Sequence, residues 1–224
     1  MIRSDRVATA LLTGEFAADV TGAATPLSAA DAALTRRSVR AYRDEPVTEA
    51  EIARLLTLTG RAPSAFNVQP WRFVVVRDVD TKAALREVAY GQKQVTEAPA
   101  LIVMYADIED ALAHLDEVVH PGLPAEKREA TMAVVRNNLG AMPPEARAQW
   151  ANAQANIALG YLLLIARSEG FDTSPMLGFD ATRVKALLDI PSHATVTAMV
   201  ALGRGAEEGF VSHRHDVARV ATFR

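Results

Sequence analysis

The sequence predicts an α+β fold built on a mixed or mostly antiparallel sheet, and three observations lead there. Three short apolar runs, Phe73 to Val76, Leu101 to Tyr105 and Thr195 to Leu202, read as buried strands. Segments with apolar residues at helical spacing stand before and between them. The two kinds of element do not alternate strictly as strand, helix, strand, which argues against a wholly parallel sheet. Half of the 224 residues are hydrophobic, enough to bury a sizeable core in one large domain or two small ones.

Taken in order, residues 1–30 read as an extension ahead of the main unit, which spans 31–224. The extension is rich in Ala and Thr, ends in Thr25-Pro26-Leu27-Ser28 and has room for a short helix near Val7 to Val20. Asp31 to Arg40 reads as a helix running into a turn. Thr48-Glu49-Ala50-Glu51 is a capping box, in which a hydroxyl and a carboxylate satisfy free amides at a helix start. Ile52, Leu55 and Leu56 follow at helical spacing, and Gly60 marks the end. A loop with Pro63 and Pro70 leads to the first strand. Asp80 is the expected cap of the next helix, whose apolar face holds Leu85, Val88 and Ala89.

Residues 107–149 change in character, with many charges and the turn formers Pro121-Gly122 and Pro143-Pro144. They read as an insertion of two amphipathic helices, either a lid or substrate wall or a plain surface hairpin. Trp150 to Glu169 is Ala- and Leu-rich on nearly every face, the pattern of a helix buried in a core or between subunits. Gly170 fits its C-terminal end. Asp180 caps a last helix with Val184, Leu187 and Leu188, closed by Pro191.

Composition removes several classes of function. With no cysteine, the chain has no disulfide, zinc–thiolate site, iron–sulfur cluster or redox thiol, so any redox chemistry needs a non-thiol cofactor. A net charge of −3 speaks against a general nucleic-acid binder. The most apolar stretch, Ala155 to Ala166, is shorter than the ~20 residues a membrane-spanning helix needs, and the N-terminus is a poor signal peptide. A cytoplasmic enzyme is expected. The five histidines lack metal-binding spacing, and no P-loop, G-x-S-x-G or G-x-G-x-x-G is present.

Three segments carry candidate chemistry. Arg36-Arg37-Ser38-Val39-Arg40 puts three guanidinium groups and a hydroxyl within five residues, and Arg presents a planar donor fork that suits phosphate. Read alone, it is a weak signal that a solvated basic patch explains better. Pro63-Ser64-Ala65-Phe66-Asn67-Val68-Gln69-Pro70-Trp71 sets two carboxamides in a loop stiffened by prolines, suited to a heteroaromatic edge of alternating donors and acceptors, or simply to a rigid turn anchored by Trp71. Thr173-Ser174-Pro175-Met176-Leu177-Gly178-Phe179-Asp180 lets backbone amides approach a flat ligand, or only connects two helices.

In this order and spacing the segments resemble the nitroreductase family of flavoproteins. R-R-S-V-R-A-Y is similar to the family's opening phosphate motif, and P-S-A-F-N-V-Q-P-W-R-F is the most specific match. E-A-P-A-L-I-V-M and S-P-M-L-G-F-D complete a likeness running from about Leu34 to the C-terminus. The turn after the last strand is Gly203-Arg204-Gly205, where the family often has Gly-Tyr-Pro, and Ser212 stands where it often has Lys.

The resemblance implies a sheet flanked by helices in an intertwined homodimer, with FMN at the subunit interface. By position, Arg36, Arg37, Ser38 and Arg40 would hold the phosphate and ribityl chain, with Arg214 a second phosphate contact. Asn67 and Gln69 would address the isoalloxazine ring, and Pro63 and Ser64 would come from the other subunit. The Pro175-Met176-Leu177-Gly178 segment would bring the Leu177 amide near flavin N5. Phe66 and Tyr105 are candidate walls of the acceptor pocket. The implied activity is ping-pong transfer of hydride from NAD(P)H, through the flavin, to a nitroaromatic, quinone or similar small aromatic acceptor. The cofactor carries the chemistry, no side chain is assigned as catalyst, and neither metal, nucleic acid nor membrane is involved. The same scaffold would also serve another flavin reaction, such as reductive dehalogenation, or a non-catalytic flavin-binding or interaction role.

Overall fold

The computed structural model describes residues 25–224. The helix expected near Val7 to Val20 lies outside them. Helices α1 (Ala29–Thr35) and α2 (Glu49–Thr59) lead into strand β1 (Trp71–Val76). Helices α3 (Val79–Val88) and α4 (Gln94–Glu97) precede β2 (Ala100–Ala106). After β2 come α5 (Ile108–Ala113), α6 (Leu115–Val118), α7 (Ala125–Gly140) and the long α8 (Pro144–Ser168). Strand β3 (Asp172–Met176), α9 (Ala181–Leu187), β4 (Thr195–Gly203) and a short α10 (Val217–Val220) finish the chain.

The four strands form one sheet in the order β1-β2-β4-β3, every neighbouring pair antiparallel. The α+β class holds, and the parallel component of the sheet reduces to a single bridge, Ser38 beside Thr173. The central strands are apolar on both faces because both faces are covered. Ala100 and Ile102 of β2 pack with Ala198 and Val200 of β4 against Leu162 and Ala166 of α8. Leu101 and Val103 pack on the other face with Met199, Ala201, Leu85 of α3 and Val184 of α9. The result is helix, sheet, helix around two cores, with a third where Trp71 and Met104 meet Val135 and Leu139 of α7 and Ala151 and Ala155 of α8.

The capping box at α2 is formed as read: Thr48 Oγ1 accepts from the Glu51 amide at 3.2 Å, and the Thr48 amide donates to Glu51 Oε2 at 2.7 Å. Four expectations are corrected. Helix α1 ends at Thr35, so Arg36 to Arg40 are extended rather than helical. Asp78, not Asp80, caps α3, because it is the residue just before the first helical one and its carboxylate reaches the Thr81 amide at 2.7 Å. The 107–149 segment holds three helices and the first turn of a fourth, since Pro144 opens α8 at a position where its missing N–H costs nothing. Finally, 172–176 is a strand rather than a connector. Its Pro175 is tolerated because β3 is a sheet edge, where an absent donor leaves no ladder bond unmade.

Helix α8 positions everything else. Ala151, Ala155, Ala158, Leu162 and Ala166 are fully buried at spacings of four and three, so small side chains let it lie close across the sheet. Its opposite face leaves Ile157 and Tyr161 about 40 % exposed, so the helix is buried on one side only within a single chain. Gly170, at φ +83°, turns the chain into β3.

Candidate functional site

The arginine-rich segment lies along the outer edge of β3. The Val39 amide donates to the Thr173 carbonyl at 3.1 Å, and Tyr42 pairs with Gly205. Extended backbone alternates its side chains, so Arg36, Ser38 and Arg40 face one way and Arg37 and Val39 the other. Val39 is buried, and the Tyr42 hydroxyl donates to its carbonyl at 2.8 Å, which pins the segment. Burial first, then the Asp172 charge, pushes the Tyr42 hydroxyl far above its ordinary pKa, so it stays a donor.

The C-terminal tail folds back over this segment. Gly209, at φ +67°, crosses so near that an added Cβ would meet the Ser38 carbonyl oxygen at 2.8 Å. Ser212 Oγ donates to the Arg36 carbonyl at 3.3 Å, and Glu207 accepts from the Arg40 amide at 3.0 Å. Arg214 is thereby set beside Arg36. Burial first, and then the charge of Arg214, lowers the pKa of the Arg36 guanidinium. Arg36 Nη1 is buried and has no acceptor among the described residues. Two cations side by side, one with an unsatisfied buried donor, call for an anion. Arg37 is engaged elsewhere, 3.1 Å from Glu208 in an open cavity of about 440 Å³ that Arg43, Arg167 and Asp172 also line. Arg40 is exposed. Arg204 is committed to structure, bonding Glu51 at 2.9 Å and lying over the Phe171 ring.

From Thr173 the edge of β3 runs ~17 Å to Gly178, at ~3.3 Å per residue. The Met176 side chain is in the core and Pro175 is half-buried, while Leu177 and Gly178 are exposed. Beside them lies a turn the sequence reading passed over, Tyr90-Gly91-Gln92. Gln92 Nε2 donates to the Gly178 carbonyl at 2.8 Å and to the Ala89 carbonyl at 3.1 Å. Tyr90 has φ +56° and is largely exposed, an unfavourable conformation for an aromatic residue. The signal available in the sequence was a glycine one place before a carboxamide, just past a helix end.

The carboxamide loop sits elsewhere in the chain. Phe66, Asn67 and Gln69 all have positive φ, at 56°, 56° and 44°. The loop is held by Gln69 N donating to Ser64 Oγ at 3.0 Å, Asn67 Nδ2 donating to the Val118 carbonyl at 2.8 Å, and Ala65 N donating to Gln154 Oε1 at 2.9 Å. Pro63 and Phe66 are exposed. Helix α8 serves as a ruler. It holds this loop at Gln154 and the start of α1 at Ser168, whose carbonyl accepts from the Leu27 amide. Those positions are ~21 Å apart at ~1.5 Å per residue. One protomer therefore sets Arg36 beside Arg214 and joins Gly178 with Gln92, while the loop of Pro63, Ser64, Asn67 and Gln69 leads into β1, at the sheet edge opposite β3.

The model described as Nitroreductase family matches residues 33–204, well over half the chain. The chain belongs to the nitroreductase family. It is 55 % identical over 198 residues to a protein named NADH dehydrogenase from Thermus thermophilus, covering 88 % of this chain and 97 % of that one. Among solved structures, a nitroreductase-like protein from Streptococcus mutans aligns with TM-score 0.78 at 28 % identity, over 87 % of this chain and 97 % of that one. A nitroreductase-type protein in complex with FMN from Exiguobacterium sibiricum aligns with TM-score 0.82 over 90 % of this chain and all of that one, and at 24 % identity it shares the fold.

This nitroreductase-family chain has one more polar cavity, of about 370 Å³, between the carboxamide loop and the excursion after β2. Gln69, Trp71, Arg72, Asp110, His114 and Glu117 are among its lining residues. Arg72 grips the Asp110 carboxylate through two nitrogens and donates to the Gln69 carbonyl at 2.9 Å. His114 Nδ1 lies 2.9 Å from the Asp110 carbonyl oxygen and 3.1 Å from its carboxylate. Among the described residues no helix is long and apolar enough to cross a membrane, and no cluster of metal-binding side chains is present.

Proposed function

We propose that this protein is an FMN-dependent oxidoreductase that takes hydride from NAD(P)H and passes it to a small aromatic acceptor, a quinone or nitroaromatic, by a ping-pong mechanism. The observation that carries the reading is the buried Arg36 Nη1, unpartnered among the described residues, beside Arg214. A phosphate dianion satisfies both at once, and bidentate guanidinium–phosphate pairing is the geometry such a pair offers. Ser38 and Arg40, on the same side of the extended segment, add donors. The length of the β3 edge suits a ligand with a charged end and a flat end. Gln92 fixes the Gly178 carbonyl, which leaves the Leu177–Gly178 backbone to meet the ring. FMN, when bound, supplies the hydride chemistry, and these residues supply position and charge. The relatives named for NADH dehydrogenase and NAD(P)H nitroreductase activity point to the same donor class.

The site is completed, in this reading, by a second copy of the chain. A homodimer brings the partner's loop of Pro63, Ser64, Asn67 and Gln69 to the flat end, because within one protomer that loop leads into β1 and the flat end follows β3, at opposite edges of the sheet. The apolar surface supports it: Leu34, Phe210, Val217, Val220 and Phe223 are each more than 60 % exposed, and Ile157 and Tyr161 line the open face of α8. Residues 31–224 then act as one flavin-binding unit in the cytoplasm, with the 107–149 excursion walling the acceptor pocket and Phe66 and Tyr105 as aromatic candidates there.

The test is an absorption spectrum of the purified protein under argon. A yellow protein bleached by NADH or NADPH, and restored by quinone, is expected. Colourless protein that ignores added FMN overturns the cofactor assignment, and a yellow protein that neither nucleotide bleaches overturns the catalytic one.

A further inference from the structure

Two-electron reduction of a quinone needs a proton as well as a hydride, and the parts of the site described so far supply none. A guanidinium group is no proton donor near neutrality, and Gln92, Asn67 and Gln69 are amides. The cavity behind the carboxamide loop contains one group suited to the task. Gln69 lines both the loop and the cavity, and Val118, another lining residue, accepts the bond from Asn67. Through these two residues the polar space of about 370 Å³ adjoins the loop itself, with room for a monocyclic or bicyclic acceptor.

Within the cavity His114 is oriented. Its Nδ1 faces the carbonyl and the carboxylate of Asp110, two acceptors, so Nδ1 carries hydrogen, and Nε2 has no partner among the described residues. Asp110 is itself held by Arg72, whose remaining nitrogen is fixed by the Gln69 and Trp71 carbonyls. The chain of contacts thus runs from the ring-facing loop through Arg72 and Asp110 to the imidazole. The charged groups around the imidazole are Asp110 and Arg72, with Glu117 and Asp116 of α6 and, from α7, Arg128, which bonds the Asp116 carbonyl at 3.3 Å. The hydrogen bond to the Asp110 backbone, then the charges of Asp110, Glu117 and Asp116, raise the His114 pKa above its ordinary value, so the protonated form reaches further toward neutral pH. The side chain is half exposed, which gives it solvent access for reprotonation.

We propose that His114 is the proton donor to a quinone-class acceptor bound in this cavity, an inference that rests on the flavoenzyme reading above. The acceptor gains two electrons and one hydrogen as hydride, originating in NAD(P)H. The Nε2–H bond of the imidazolium breaks, and the new O–H bond forms on the acceptor oxygen facing it. The neutral imidazole then takes a proton from water. The sum is NAD(P)H, one proton and quinone giving NAD(P)⁺ and hydroquinone.

The experiment compares wild type and His114→Gln as flavin-loaded protein in stopped flow, one half-reaction at a time. Flavin bleaching by NADH reports the first half-reaction and should be unchanged. Reoxidation by menadione should slow on the order of 100-fold, the lower end of general-acid contributions. It should also lose its pH inflection, while reoxidation by ferricyanide, which takes electrons without a proton, keeps its rate. Glu117→Gln should move the wild-type inflection to lower pH. Independently of turnover, the His114 imidazole resonance, assigned by its loss in His114→Gln, should shift when the redox-inert ring 4-methoxyphenol is added. Unchanged menadione kinetics in His114→Gln, or equal slowing with ferricyanide, overturns the assignment of His114. Protein that holds no flavin, or that NADH fails to bleach, overturns the underlying reading instead.

Discussion

Arg36 has opposite meanings for folding and for binding. With Nη1 buried and without an acceptor among the described residues, beside a like charge, it costs the flavin-free protein stability, and it favours the bound state only through an anion. Arg36→Met, which keeps the aliphatic stem, should therefore leave the flavin-free melting temperature equal or higher. The same change should weaken FMN binding by about 1.5–3 kcal/mol, roughly ten- to hundred-fold in Kd, read by flavin fluorescence titration. Arg204→Ala should do the reverse. It removes the Glu51 bond and the contact over Phe171, so stability falls by about 1–2 kcal/mol while FMN affinity holds. Arg204, Arg214, Arg219 and Arg224 stand in and near the tail, and only the family resemblance, not the residues themselves, singles out Arg214. Ranking requires knowing that the chain turns back at Gly209, so that Arg214 meets Arg36 while Arg204, at the end of β4, reaches α2. Gln92 escaped for a related reason: its role comes from lying beside Gly178, 86 positions further along.

At the scale of elements, local chemistry was readable and non-local pairing was not. The α2 capping box is a matter of four consecutive residues, and it stands as the sequence implies. Strand β3 carries a proline and no apolar alternation, and it is a strand only because β4 lies beside it. Two measurements probe this level. Burial raises the Glu51 pKa, but bonds from Thr48 and then Arg204 outweigh it and hold the folded value below the ordinary one. A depressed carboxyl contributes stability that is complete above its unfolded pKa and disappears as pH falls through the folded value. Acid unfolding followed by circular dichroism should accordingly begin at higher pH in wild type than in Glu51→Gln, once each is normalised to its own neutral-pH stability. Gly203→Ala should destabilise by about 1–3 kcal/mol in urea denaturation, because an added Cβ would stand 2.6 Å from Pro99 Cδ and 2.9 Å from Tyr42 Cδ1.

For the whole molecule the decisive quantity is apolar surface. A helix read as buried in a core or between subunits is covered on one side within the single chain, and the tail carries Phe210, Val211, Val217, Val220 and Phe223 into solvent. Truncation after Gly205 should leave the four-stranded sheet intact by circular dichroism. By light scattering, the same truncation should shift the dimer proposed here toward monomer. It also removes Arg214, so flavin is lost with it. A truncated chain that stays dimeric would place the contact on α8 alone.

The separation that α8 imposes between its two anchor points has a genetic consequence. In a twofold assembly, each catalytic centre borrows its loop from one chain and its guanidinium pair from the other. Two defective alleles, one lacking both arginines and one with the loop's Asn67 and Gln69 replaced, should complement when coexpressed. Hybrid particles would concentrate both lesions in one centre and leave its twin whole, recovering about a quarter of normal centres when the chains mix at random. An enzyme built within single chains would recover none.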